Sequence, residues 1–400
     1  MLLLNRFGGT MEIADSKFIK NINRAIILEE IIKNEPVSRS DLAKITGLNK
    51  VTISSQISDL LDEKLLIEKK SENSPGTSGG KKPILLFLNK KCAYSLGLEL
   101  KKDSISSVLT NLNGEITQKE AFSVKKTSPE FIADKIEEIF KYYTKSIKNS
   151  KFGIIGLSVG VHGKIDKNNI IIECNNLKWK NINLKKMLQK KFPDLNINIK
   201  NNNYFSVLAE KSFYDIPNDP FIFLNMSAGI GMGIVIDNNI LLGVNGLSGE
   251  AGHVSIELNG RKCYCGRRGC WETYACENAF FKDLKELKKK NISYDKFSKM
   301  LDNNEIDEEI TALLADYENY IYSGLLSIIN IFDPKLILIY NRILNIYPAL
   351  VKNLKKKIYK YNKIEASIEL SELKEDSCCL GACISNILGF LNINFLKLKK

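Results

Sequence analysis

No apolar run in this chain of 400 residues approaches the roughly 20 residues that a membrane-spanning helix needs, which argues against an integral helical membrane protein. The first ten residues, Met1 to Thr10, hold one arginine and three consecutive leucines, too little for a secretory signal, so a cytoplasmic location is expected. Histidine is nearly missing: His162 and His253 are the only two, and any site that needs an imidazole must draw on them. The nine cysteines are an odd number, and a reducing compartment keeps thiols free. Closely spaced cysteines here therefore point to a metal rather than to disulfides.

The charge balance is less informative than its size suggests. The net charge is +12, but residues 1–82 hold 13 Lys and Arg against 11 Asp and Glu, a net of only +2. The rest lies downstream, in runs such as Lys288 to Lys290 and Lys355 to Lys357, which fit solvated helix faces. Nucleic-acid binding must be argued from motif geometry instead.

The length calls for two or three domains. From Lys17 to about Glu68 the apolar spacing is helical, with Ile19, Ile22, Ile26 and Ile27 at three- and four-residue steps and a break at Glu35-Pro36. Residues 71–80 are polar and glycine-rich, which predicts a loop. Leu65 to Ile67 and Ile84 to Leu88 flank it as the two strands of a hairpin. Beyond Asn89, strands alternate with amphipathic helices. Strands are expected at 94–100, 105–109, 154–159, 221–225, 234–236 and 336–339, and a helix at 129–147, an α/β pattern.

Ser38 and Asp41 form a capping box, and Thr46-Gly47 suits the turn that follows the short helix. A second helix is predicted from about Asn49 to Lys64, with Ile53, Ile57, Leu60 and Leu61 inward. Its front end holds Asn49, Lys50, Val51, Thr52, Ser55 and Gln56. Helix, turn, helix and hairpin in this order fit a winged helix-turn-helix. On that reading Asn49, Lys50, Thr52, Ser55 and Gln56 face the major groove of operator DNA, and Lys81 and Lys82 of the wing meet phosphates or the minor groove. A small helical protein-interaction domain is the alternative.

Ten residues after His253 comes Cys263-Tyr-Cys265, then Gly-Arg-Arg-Gly, then Cys270. Three thiolates and one imidazole complete a tetrahedral Zn²⁺ shell. All four positions being protein ligands, no site remains for an activated water, so the zinc is expected to be structural. Cys92, Cys174, Cys276, Cys378, Cys379 and Cys383 show no ligand spacing.

The stretch Ser248-Gly-Glu250-Ala-Gly-His253, followed by Cys-Tyr-Cys-Gly-Arg-Arg-Gly-Cys-Trp-Glu272, resembles the signature of the ROK family of repressors, open reading frames and sugar kinases. Ser227-Ala-Gly229-Ile-Gly231-Met-Gly233 resembles that family's second phosphate loop, and Asn111-Leu-Asn-Gly114 the turn after its first hairpin. Within the family, Thr46 to Gln56 and Gly79 to Pro83 are most similar to the xylose-responsive repressors. The resemblance begins at Met11 and covers nearly the whole chain. Met11 also reads as a natural start, since Gly8-Gly9 can be encoded by a ribosome-pairing purine run. Residues 1–10 are then a leader, 11–88 the winged helix-turn-helix and 89–400 a two-lobed, actin-like sugar-sensing domain.

The resemblance implies a homodimer, a monosaccharide effector (xylose first), and ligand contacts from Asn201, Asn202, Glu250, His253 and Glu272. Glu250 and Glu272 can alternatively orient the zinc ligands. It also implies lost catalysis. The family's first phosphate loop, an acid followed by Gly-Gly-Thr, aligns with Glu99, Lys101, Lys102 and Asp103, so that lysines stand where its two glycines are usual. Its adenine glycines align with Tyr340-Asn341, and its Asn-Asp pair with Asn201-Asn202. An amide hydrogen-bonds a sugar but is no general base. A sugar kinase with a regulatory N-terminal module, or a repressor for another sugar, is the rival reading.

Overall fold

The computed structural model describes residues 16–70, 83–214, 220–244, 246–362 and 367–398. The expected start at Met11 and the wing lysines Lys81 and Lys82 lie outside the described residues.

The N-terminal unit comprises α1 (Ser16–Asn34), β1 (Val37–Ser38), α2 (Arg39–Thr46), α3 (Lys50–Asp62), β2 (Leu66–Lys70) and β3 (Ile84–Leu88). Its strands pair antiparallel in the order β1-β3-β2. The helices are cut to length by their caps. Ser38 Oγ accepts from the Asp41 N–H at 3.2 Å and donates to the Asp41 carboxylate at 2.6 Å, opening α2. Gly47 ends it in a left-handed backbone, and Asn49 caps α3 by accepting from the Thr52 N–H at 2.8 Å. Ile27, Leu28, Ile31, Leu42, Ile53, Ile57 and Leu60 fill the core. The expected apolar face of α1 is displaced, since Ile19 is 47% exposed and burial begins at Ile27. The first half of α1 meets α3 with charge instead, through Lys20–Asp59 at 2.7 Å and Arg24–Glu63 at 2.9 Å.

Next come β4 (Tyr94–Leu100), β5 (Ser104–Asn111), β6 (Ile116–Ser123), α4 (Pro129–Ser146), β7 (Ile154–Val161), β8 (Lys164–Ile165), β9 (Ile171–Cys174), β10 (Trp179–Ile182), α5 (Leu184–Lys191) and β11 (Asn196–Asn201). The main sheet runs β11-β7-β4-β5-β6: an antiparallel meander, β4 to β6, extended by the parallel strands β7 and β11. A small sheet, β10-β9-β8, lies beside it. Helix α4 shows why the pattern was readable. Ser128 caps it, Pro129 opens it, and Ile132, Ile136, Ile139 and Tyr143 are buried at helical spacing.

Helix α6 (Asn202–Phe213) then leads to β12 (Phe221–Asn225), β13 (Gly231–Ile236), β14 (Asn239–Ile240), α7 (Glu272–Ala275), α8 (Glu277–Lys288), α9 (Tyr294–Asp302), α10 (Glu308–Phe332), β15 (Leu336–Tyr340), α11 (Arg342–Ile346), α12 (Ala349–Asn362) and β16 (Ser367–Leu370). This second sheet, β14-β13-β12-β15-β16, repeats the plan of the first, a meander plus two parallel strands. Two lobes built to one topology make the two-lobed, actin-like architecture. Helix α13 (Ser377–Leu391) returns to the first lobe, packing on α6 and across β4, β5 and β7.

The N-terminal unit does not hang from a free linker. Its core cluster continues through Cys92, Leu208 and Leu112 into α13 and the tail residues Ile393, Leu396 and Leu398. The Asn394 N–H donates to Glu29 on α1 at 2.8 Å, and the Leu398 N–H to the Ser212 carbonyl on α6 at 2.8 Å. Glu35, with its side chain 4% exposed, accepts from the Leu88 N–H and faces Lys90, which also pairs with Glu115 at 2.7 Å.

Candidate functional sites: metal centre, inter-lobe cleft and reading helix

The loop between β14 and α7 brings together the four residues singled out by spacing. His253 ends a short turn, Ala251–His253, and Cys270 immediately precedes Trp271 and α7. Between them the chain folds back. The Cys263 N–H donates to the Arg267 carbonyl and the Gly266 N–H to the Cys263 carbonyl, with Gly266 and Gly269 at φ +88° and +74°. The donor atoms of His253, Cys263, Cys265 and Cys270 all lie within 4.8 Å of one another. Cys265 and Cys270 sulfurs are 3.6 Å apart, as are Cys263 Sγ and His253 Nδ1. A tetrahedral Zn²⁺, with bonds of about 2.0–2.3 Å, holds neighbouring donors roughly 3.5–3.8 Å apart, so the donor set fits that ion in both chemistry and spacing. Burial opposes ionisation of Cys265, but the side chain and backbone of Arg267 outweigh it and hold the thiol down at about 6. Burial raises Cys263, and the Glu272 carboxylate 3.0 Å away adds to the effect.

Glu272 is buried and faces two ways. Its Oε1 lies 3.0 Å from Cys263 Sγ and 3.4 Å from His253 Nδ1, while its Oε2 lies 2.9 Å from where a side chain on Gly229 would begin. The other ring nitrogen of His253 faces Glu250 at 3.7 Å and Tyr264 Oη at 3.2 Å. Burial raises the Glu250 carboxyl, against the pull of His253 and the charge of Lys164, which lies on β8 in the opposite lobe and pairs with Glu173 at 3.5 Å. The glycine loop 227–231 is therefore flanked by Glu272 on one side. On the other side is Asn203, whose amide occupies the space beside Gly231. Asn201 caps α6 by accepting from the Asn203 N–H at 2.8 Å and donates to the Gly163 carbonyl at 2.9 Å, and Asn202 is buried beside it. The five expected sugar contacts thus come from the N-terminus of α6 and from the metal loop, on either side of one glycine loop.

The residues expected at the kinase positions have defined partners. Glu99 is buried at the end of β4, 2.9 Å from His162 and 3.3 Å from Lys101. The following turn closes by a hydrogen bond from the Lys101 N–H to the Ser104 carbonyl, and residues 101–103 keep negative φ. The lysines therefore cause no backbone strain; the turn takes a path that needs no glycine. Asn341 is fully buried, caps α11, and donates to the Met226 carbonyl and to Tyr317 Oη.

On α3, Lys50 and Ser55 are exposed and Thr52 is half-buried, while the Asn49 Oδ1 caps the helix. Gln56 does not face outward as expected. It is 4% exposed and its Oε1 finds no partner among the described residues. Position 56 falls on the 53, 56, 57, 60 stripe that faces the core, so helical period overrides the polarity that suggested a groove-facing residue. Three cleft residues went unnoticed in the sequence: Asn203, Lys164 and Tyr264. The Asn201 to Asn203 triplet was the visible signal for the first, and the place of Tyr264 between Cys263 and Cys265 was the signal for the last; nothing local marked Lys164.

Fold and site together define a two-lobed sugar-kinase-like domain joined to a winged helix-turn-helix. The chain belongs to the ROK family, whose model matches residues 95–385. It is 37% identical to the xylose repressor of Bacillus spizizenii over 96% of this chain and 99% of that protein, and 35% identical to the xylose repressor of Bacillus subtilis with the same coverage. Among solved structures, a ROK family transcriptional regulator, a homologue of the E. coli MLC protein, superposes with a TM-score of 0.77 at 22% identity, covering 94% of this chain and 98% of that one. The ROK family glucokinase of Streptomyces griseus, solved with glucose and AMPPNP, gives 0.63 at 18% identity but covers only 73% of this chain.

Proposed function

We propose that the chain is a sugar-responsive transcriptional repressor of a carbohydrate-utilisation operon, cytoplasmic and homodimeric, with xylose as its effector. The observation that carries this reading is the end-to-end likeness to xylose repressors, reader included. Residues 11–88 form the DNA-binding domain and 89–400 the sensor. Asn49, Lys50, Thr52 and Ser55 sit at the groove, with Lys81 and Lys82 on the flanking phosphates. Two readers in a dimer meet two half-sites.

Xylose binds through Asn201, Asn202, Glu250, His253 and Glu272, whose amides and carboxylates exchange hydrogen bonds with adjacent hydroxyls. His253, Cys263, Cys265 and Cys270 hold a structural Zn²⁺, which supplies a cross-link that keeps the Glu250 to Glu272 loop in shape. Closure over the sugar moves α6, whose first turn carries the asparagines and whose last turn holds the tail at Ser212. The tail in turn holds Glu29 on α1. A repressor of utilisation genes must leave its operator when the sugar is present, and this path delivers that signal. No phosphoryl transfer is expected, because Asn202 offers no base and Tyr340, Asn341 and the Lys101–Glu99 pair occupy the nucleotide side. A thermal-shift screen of monosaccharides on the full chain tests the effector: xylose should raise the unfolding midpoint and ribose should not. Indifference to every sugar would overturn a sensing role.

A further inference from the structure

The exposed face of α3 is unusual in what it offers to a base. Val51, Ser54, Ser55 and Ser58 are exposed at i, i+3, i+4, i+7 spacing, offset by two residues, about 200° of helix, from the buried 53, 56, 57, 60 stripe. Serine hydroxyls donate or accept and so serve several bases alike. Of the amides that read bases with two hydrogen bonds, Asn49 has its Oδ1 engaged in the cap and Gln56 is turned into the core. One side chain on the face has a distinct chemical preference. Val51 stands in the first turn of the helix and is 80% exposed.

The fold does not explain that residue. A β-branched side chain is a weaker helix former than alanine, and one so exposed adds nothing to the core. Single exposed aliphatics are ordinary elsewhere on a protein. The N-terminal turn of a recognition helix is the part that reaches base edges, and there the one apolar mark on any base is the C5-methyl of thymine. The three serines are short and uncharged, so the helix can approach closely enough for the valine methyls to touch it.

We infer that Val51 is a specificity-determining residue that reads thymine by its methyl group. The inference rests on the DNA-binding reading above. The probe is a duplex recovered by the full-length wild-type chain from a random-sequence library, with each thymine replaced in turn by deoxyuridine, which lacks only the methyl. At one or two thymines per half-site, loss of the methyl should weaken binding about fourfold, the cost of exposing one buried methyl-sized group. Val51→Ala should bind the unmodified duplex more weakly by about that factor or more and be indifferent to deoxyuridine at those same thymines. Ser54→Ala should remain sensitive to them. Because Val51 touches solvent and alanine favours helix, the variant's unfolding midpoint should be at least that of the wild type. Equal deoxyuridine sensitivity in wild type and Val51→Ala, or none at any thymine, would overturn the assignment while leaving DNA binding intact. Recovery of no duplex at all would instead overturn the DNA-binding reading and this assignment with it.

Discussion

Glu210 should make the chain less stable as the pH rises through neutrality, and Glu210→Gln should remove that effect. The residue lies on α6 with no exposed surface. The Ser371 hydroxyl donates to its Oε1, and Oε2 has no partner among the described residues. Burial pushes the carboxyl up to about 7, with Glu372 adding to the rise and the Ser371 hydrogen bond opposing it. The folded-state value exceeds the unfolded one, so the group's contribution is complete below about 4.5 and is lost as the pH rises through about 7. A displacement of that size, at about 1.4 kcal/mol per pH unit, costs the folded chain roughly 3 kcal/mol once Glu210 is ionised. Glutamine keeps the acceptor for Ser371 and cannot ionise. Urea unfolding followed by intrinsic fluorescence should therefore find the two proteins close at pH 5 and the variant more stable at pH 8. A gap that is independent of pH, or larger at pH 5, would refute the reasoning.

Three further outcomes are expected. Elemental analysis should find about one zinc per chain, and Cys265→Ser should lose it, with a lower unfolding midpoint and a weaker sugar response; a fully loaded, stable variant would mean the ligand set is wrong. Asn202→Asp should yield no sugar phosphate from ATP and xylose, because Tyr340, Asn341 and the Lys101–Glu99 pair remain; measurable product would mean the nucleotide side is intact. Glu29→Ala, which removes the tail's hold on α1, should leave DNA binding within about threefold of wild type while reducing the effect of sugar upon it, as comparison of binding isotherms with and without xylose will show.

Much of this molecule was legible because its signals are local. The Ser38 and Asp41 cap, the Gly47 turn and the apolar stripe of α4 each lie within a few residues, and each appears where the pattern put it. The candidate metal cluster was equally plain, since Cys263, Cys265 and Cys270 are brought together by a loop of eight residues. What was missed depends on contacts far apart in the chain. The tail meets α1 across 365 residues, and no periodicity marks Asn394 as a partner of Glu29. Lys164 comes near Glu250 only because the two lobes face each other. Gln56 shows the opposite failing: its period pointed inward, but a polar side chain at the front of a recognition helix invited a functional reading.

The central claim is that sugar in the cleft controls DNA at the reading helix, and one measurement addresses it directly. Fluorescence anisotropy of a labelled duplex, selected by the full-length chain, is recorded as protein is added with and without xylose. The coupling proposed here predicts at least about fivefold weaker binding in xylose, and no change in ribose. A duplex bound with the same affinity at saturating xylose as in its absence would contradict it.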